Sequence, residues 1–151
     1  MRISYRGDYA LKAMLELSLK YGHGEAVSIN EIASSGDMPK NFLEQILLAL
    51  KNGRFVKSKR GVNGGFYLAR SPKDITVGEV IRFIEGPTAP ISCVEEGYKG
   101  CKDLKNCIFR DVWKEVGQAI SLVIDTLTFE ELAIRYKDRS FNMKPVHEYS
   151  I

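Results

Sequence analysis

Cys93, Cys101 and Cys107 all lie in the stretch CVEEGYKGCKDLKNC and are the chain's three cysteines. An odd number does not make a self-contained disulfide framework. Buried structural cysteines sit on apolar faces, whereas these stand among Glu95, Glu96, Lys99, Lys102, Asp103 and Lys105. Gly97 and Gly100 give the backbone freedom to fold around a ligand. Thiolates in such a setting bind soft metals, and iron–sulfur clusters are held mainly by them. Seven residues separate the first pair and five the second, which is not the CxxC of a zinc ribbon. An iron–sulfur cluster, of two or four irons, is therefore expected ahead of zinc or of direct thiol chemistry. Three thiolates leave one position open for a fourth ligand.

Those ligands need a scaffold, and 151 residues suffice for one without disulfide staples. No early apolar run is flanked like a signal peptide, and none approaches a membrane span. The expected compartment is the cytoplasm, where thiols stay reduced. The net charge of +3 hides an asymmetry. Residues 1–75 hold 12 Lys/Arg against 7 Asp/Glu, whereas residues 76–151 hold 10 against 12. The basic half is the one suited to a polyanion, and Lys51, Arg54, Lys57, Lys59 and Arg60 fall within ten residues of it.

From Tyr9 on, Ala10, Ala13, Met14, Leu17 and Tyr21 recur at helical spacing until Gly22 and Gly24. Ser28-Ile29-Asn30-Glu31 has the form of a capping box and opens a short helix that ends near Gly36. Pro39 suits the first turn of a third helix, with Leu43, Ile46, Leu47 and Leu50 as its buried stripe and Asn52-Gly53 as its close. Short helix, turn and longer helix make a helix-turn-helix. Phe55–Lys59 and Phe66–Leu68 read as strands around the turn Arg60-Gly61-Val62-Asn63-Gly64-Gly65, a β-hairpin wing with a basic tip. Thr76-Val77-Gly78-Glu79 is a second capping box, opening a helix to about Glu85. Beyond Cys107, Phe109, Trp113, Val116, Ile120, Val123 and Leu127 are spaced 4, 3, 4, 3, 4, the seam of a coiled coil, widened by Val112, Ala119 and Ile124. Either a monomer's core or a dimer partner covers that stripe, and its width favours the dimer. Thr128 caps a last short helix, and residues after about Arg139 read as a tail.

The expected fold is mainly α with a small β-hairpin wing, a winged helix-turn-helix plus a long dimerisation helix. Its parts are a DNA-binding domain over residues 1–75, a connecting helix and cysteine loop over 76–107, a dimerisation helix with a short terminal helix over 108–138, exchanged against the partner subunit, and a tail over 139–151. In such a fold the first residues of the second helix reach base edges in the major groove. With its apolar stripe buried, that helix presents Lys40, Asn41, Glu44 and Gln45. Gln pairs bidentately with adenine and Glu accepts from the cytosine amino group. Glu44 also stands at the spacing for an ion pair with Lys40. Lys57 and Lys59 suit phosphates, and Arg60 suits a narrowed minor groove. No nucleotide-binding glycine motif or catalytic triad is present, so an enzyme is not expected.

The segments MRISYRGDYALKAM, NFLEQILLALKNG, KRGVNGGFYL and ITVGEVIRFIEG, with the cysteine triad, together resemble the Rrf2 family of bacterial winged-helix regulators, the IscR/NsrR group. The likeness covers about residues 1–135. It implies homodimers paired through the long helix, palindromic operators, and an iron–sulfur cluster on three cysteines and a non-cysteine ligand whose state sets DNA affinity. The implied role is that of a regulator, as a repressor, sensing nitric oxide, iron or cluster supply, or redox state. In IscR-like members the fourth ligand is a histidine three residues after the last cysteine, where this chain has Arg110, which stays protonated and does not ligate. The histidines, His23 and His147, fall in a turn and in the tail. In NsrR-like members the fourth ligand resembles Asp8, supplied by the partner chain. A helix cap or a first-turn carboxylate favoured by the helix dipole is the other reading of Asp8.

Overall fold

A computed structural model describes residues 2–142. Among these residues six α-helices and one antiparallel hairpin follow in the order α1 (Tyr5–Leu19), α2 (Ile29–Gly36), α3 (Lys40–Asn52), β1 (Val56–Lys59), β2 (Gly65–Leu68), α4 (Val77–Glu85), α5 (Ile108–Thr126) and α6 (Phe129–Asn142). The architecture is the expected winged helix-turn-helix with a long helix behind it.

Helix α1 lies at the centre, packed against α2, α3, α4, α6 and β2. Its Ala10, Ala13, Met14 and Leu17 meet Ile32 of α2 and the stripe Leu43, Ile46, Leu47 and Leu50 of α3 in one buried core, which Phe129 of α6 also enters. The helix starts four residues before its apolar pattern does, because the Ser4 hydroxyl caps it by accepting from the Gly7 amide. Both capping boxes form, at Ser28/Glu31 and at Thr76/Glu79.

Two boundaries differ from the sequence reading, the start of α3 and the length of α6. Pro39 is the N-cap of α3 and not its first helical residue: its ψ of 124° keeps the chain extended before the turn. Helix α2 ends at Gly36 as expected, and the left-handed residue that follows is Asp37, with φ 48°. The last helix is not short. Glu130, Glu131, Leu132, Ala133, Arg135, Lys137 and Arg139 are good helix formers, the Glu131–Arg135 pair adds support, and the helix runs past Arg139 to Asn142. The rest of the expected tail, with His147, lies outside the described residues.

The wing pairs Val56 with Leu68 and Lys59 with Gly65. A bridge between Val27 and Phe66, two backbone bonds of 2.8 Å, fastens it to the segment after α1. Gly65 makes that approach possible, since a Cβ there would collide with the Val27 carbonyl. A second bridge, Thr76 with Thr128, ties the start of α4 to the junction of α5 and α6. Arg82 of α4 adds a bidentate pair to Asp125 of α5, at 2.5 and 3.0 Å. The long helix is thus attached to the winged domain at its C-terminal end.

Glu79 joins the α4 cap to a wider network. Burial raises its carboxyl pKa, but the hydrogen bonds from Arg70 and from the Thr76 amide outweigh this and hold it below the ordinary value. A depressed folded pKa contributes stability that is complete above the unfolded value of about 4.3 and is lost as pH falls through the folded one. Thr76→Ala is expected to destabilise the fold by about 1 kcal/mol at pH 7. In Glu79→Gln the loss should be clear at pH 7 and shrink towards pH 3, which denaturant melts at the two pH values would measure.

Candidate functional site

The first turns of α3 face outward. Lys40, Asn41, Glu44 and Gln45 are all exposed, while Leu43, Ile46 and Leu47 anchor the opposite face. Among the described residues Lys40 and Glu44 form no ion pair, so both heads are free. Two apolar side chains that the sequence reading did not single out are exposed on the same helix, Phe42 and Leu48, at 65% and 52%. The helical spacing of Leu48, seven residues after Asn41, is the signal that would have placed it on the outward face.

Beside α3, Lys57 and Lys59 of β1 and Arg60 of the following turn are exposed. Gly61, at φ 114°, lets this turn reverse, and the Gly64 amide closes it on the Gly61 carbonyl at 2.9 Å. Lys51 at the end of α3 donates to the Ser58 hydroxyl at 2.7 Å, fixing the wing beside the helix. Exposed polar side chains on a helix and exposed cations on a hairpin are thus carried by adjoining elements, α3 and β1.

The cysteine loop runs between α4 and α5. Cys101 is exposed, Cys93 and Cys107 are half-buried, and all three are free thiols. Cys93 sits in a short 3-10 turn, Ser92–Val94, and Cys107 is the N-cap of α5. Gly97, at φ 78°, supplies the expected reversal. Gly100 has no positive φ. It lies under the ring of Tyr98 instead, where a Cβ would meet the phenol. Three thiols on a polar, accessible loop are the soft donor set that an iron–sulfur cluster takes, so the donor chemistry fits. Among the described residues no three His, Cys, Asp or Glu converge on a metal-holding position within one chain.

Arg110 has a role that spacing does not disclose. Its Nε donates to the Cys93 carbonyl at 2.9 Å, and a terminal nitrogen reaches the Leu104 carbonyl at 3.5 Å. The first turn of α5 thereby holds both arms of the loop. Arg110→Ala is expected to accelerate amide exchange across residues 93–107 while changing global stability by only about 1 kcal/mol, the net worth of such a bond. Hydrogen-exchange mass spectrometry beside a denaturant melt separates the two effects.

Asp8 does not cap α1, because Ser4 does. It lies in the first turn, half-buried, and pairs with Lys12 at 2.7 Å. That hydrogen bond raises the Lys12 pKa. The Ser4 hydroxyl also donates to Glu85, joining the head of α1 to the end of α4 where the cysteine loop begins. His23 is exposed in the turn after α1.

Along α5 no residue is buried. Phe109 and Val123 are 66% and 62% exposed, and Trp113 and Val116 are open on the same seam. Among the described residues no helix is long and apolar enough to cross a membrane.

Comparison with known proteins adds an independent finding. Residues 3–135 match the model of a family described as Rrf2, iron-dependent transcriptional regulator. The transcriptional regulator CymR of Bacillus subtilis is 36% identical over 133 residues, covering 88% of this chain and 90% of CymR. The solved structure of that protein, named there the global cysteine regulator, superposes with a TM-score of 0.74 over 89% of this chain and 98% of its own. The structure of IscR from T. potens superposes with a TM-score of 0.72 at 30% identity, over 96% and 93%.

Proposed function

The chain belongs to the Rrf2 family of transcriptional regulators, and on that premise we propose that it is a homodimeric repressor of palindromic operators whose DNA affinity is set at its cysteine loop. The observation that carries this reading is that Lys40, Asn41, Glu44 and Gln45 on α3 and Lys57, Lys59 and Arg60 on the adjoining hairpin all stand exposed. The α3 residues are assigned to base edges, the two lysines to phosphates and Arg60 to the minor groove.

Cys93, Cys101 and Cys107, with Asp8 of the partner subunit as fourth ligand, would hold an iron–sulfur cluster. Such a group supplies iron that reacts with nitric oxide and oxidants. The chain's own residues provide the coupling. Arg110 gathers the loop, Glu85 and Ser4 connect its start to α1, and Arg82 with Asp125 fixes α4 to the pairing helix. Any rearrangement of the loop therefore bears on how the winged domain is set against α5. That setting fixes the separation of the two recognition helices, which must match half-sites about 34 Å apart.

The test is iron and acid-labile sulfide per chain on protein purified without oxygen, with Cys101→Ser beside the wild type. Iron with matching sulfide, lost in the variant, is expected. A second reading is favoured by one observation: the Cys101 thiol is open to solvent. In it the cysteines sense directly, as thiols or through zinc, and the same assay then finds zinc, or no metal after anaerobic reconstitution.

A further inference from the structure

Where the end of α1 meets the wing there is a cavity of about 550 Å³, within the size range of small-molecule sites. Its apolar floor includes Leu17 and Leu68, both buried in the core, and Tyr21 and Tyr67 line it from the α1 side and from β2. Charges of both signs stand at its edge: Lys20 and Lys59, and between them in sequence Glu25. Among the described residues none of the three side chains makes a hydrogen bond or an ion pair. Lys20 acts only at a distance, on Glu31.

This combination selects a ligand chemistry. A plain hydrocarbon would leave the charged edge unused. A phosphate ester would meet the carboxylate of Glu25 with like charge. A simple carboxylic acid would satisfy the lysines and leave Glu25 unmatched. A zwitterion with an apolar side chain answers all three features. We infer that the cavity binds a small α-amino acid with an apolar or aromatic side chain. Its carboxylate is taken by Lys20 and Lys59 and its ammonium by Glu25. The side chain enters between Tyr21 and Tyr67.

Occupancy has a consequence for the wing. The cavity adjoins the joint at which Val27 and Phe66 pair, and one of its lysines, Lys59, belongs to the proposed phosphate contacts. A bound carboxylate holds that ammonium and neutralises part of the wing's positive field. The amino acid thus weakens DNA binding. This consequence rests on the proposed role of Lys59, whereas the binding itself does not.

The experiment uses the full chain, titrated calorimetrically with L-phenylalanine and L-leucine as probes, and separately with 3-phenylpropionate, which lacks the ammonium, and 2-phenylethylamine, which lacks the carboxylate. Binding to a duplex selected from random DNA is then measured with and without L-phenylalanine. The expected result is one saturable site per chain for at least one amino acid, with each truncated analogue at least tenfold weaker. Lys20→Ala and Glu25→Gln should each weaken that binding at least tenfold while leaving DNA affinity without amino acid unchanged. The amino acid should reduce wild-type DNA affinity about tenfold. Absence of saturable heat with both amino acids overturns the inference, as does equal binding of 3-phenylpropionate or full binding by Lys20→Ala. Failure of the unliganded chain to bind any selected duplex would count instead against the DNA-binding proposal. Saturable amino-acid binding with no effect on DNA affinity would remove the Lys59 coupling alone.

Discussion

A Trp113→Glu, Val116→Glu double variant is expected to sediment as a folded monomer and to lose at least about 100-fold of affinity for a duplex carrying two half-sites. The argument begins with water. Phe109, Trp113, Val116 and Val123 form a seam on a helix with no buried residue, and burying one such side chain fully is worth about 1.5–3 kcal/mol. A helix that keeps this seam wet has no reason to carry it. Two copies packed along a 4, 3, 4, 3 spacing bury it in pairs. Replacing two central positions by glutamate removes apolar area from both subunits and places four carboxylates in the interface, where unpaired charge is strongly unfavourable. The core of the winged domain lies elsewhere, on α1 and α3, so the variant keeps its fold. Two linked half-site contacts act as one through their effective concentration, and separate monomers lose that linkage. Sedimentation velocity and operator titration at fixed salt measure both arms. A variant that stays dimeric would mean that another surface pairs the subunits.

The features legible in the sequence were those decided within one or two turns of chain. Ser28 with Glu31 and Thr76 with Glu79 are three residues apart, so both capping boxes could be read and both form. The buried stripe of α3 was equally plain, because its periodicity names its own inward face. Contacts between distant positions were not legible. Arg110 looked like the absence of a ligand, yet it reaches a carbonyl seventeen residues away and organises the loop. Asp125 lies 43 residues from the Arg82 it holds, and nothing in the spacing of either points to the other. Pro39 misled for a local reason: its fixed φ suits both the cap and the first turn, and only ψ separates them. The α5 seam lies between these cases, since its pattern states that something covers it while the single chain leaves it open. For the site, the exposure of the α3 and wing residues followed from pattern. Asp8 pairs with Lys12 one turn on, a helical spacing that itself points to the pair.

The second large effect separates the two kinds of contact assigned to the DNA face. Gln45→Ala is expected to weaken binding to the selected operator by about 1–3 kcal/mol, roughly 5- to 150-fold, and to leave binding to random duplex almost unchanged. Gln45 is exposed in the second turn of α3, one residue from Glu44 and four from Asn41, so its amide is available for a bidentate pair and its loss deletes sequence information. Lys57→Ala should act differently. On β1, opposite Tyr67, its ammonium is exposed, and in the proposed role it meets phosphates, so both duplexes should lose affinity together. The slope of log affinity against log salt should become shallower by about one unit, because one fewer counterion is released. The two variants therefore differ in sign pattern as well as in size: one lowers the specificity ratio at constant salt slope, and the other lowers the slope at constant ratio. Fluorescence anisotropy with operator and random duplexes over several salt concentrations reads both quantities. If Gln45→Ala weakened the two duplexes equally, α3 would be lying on the backbone and not in the groove.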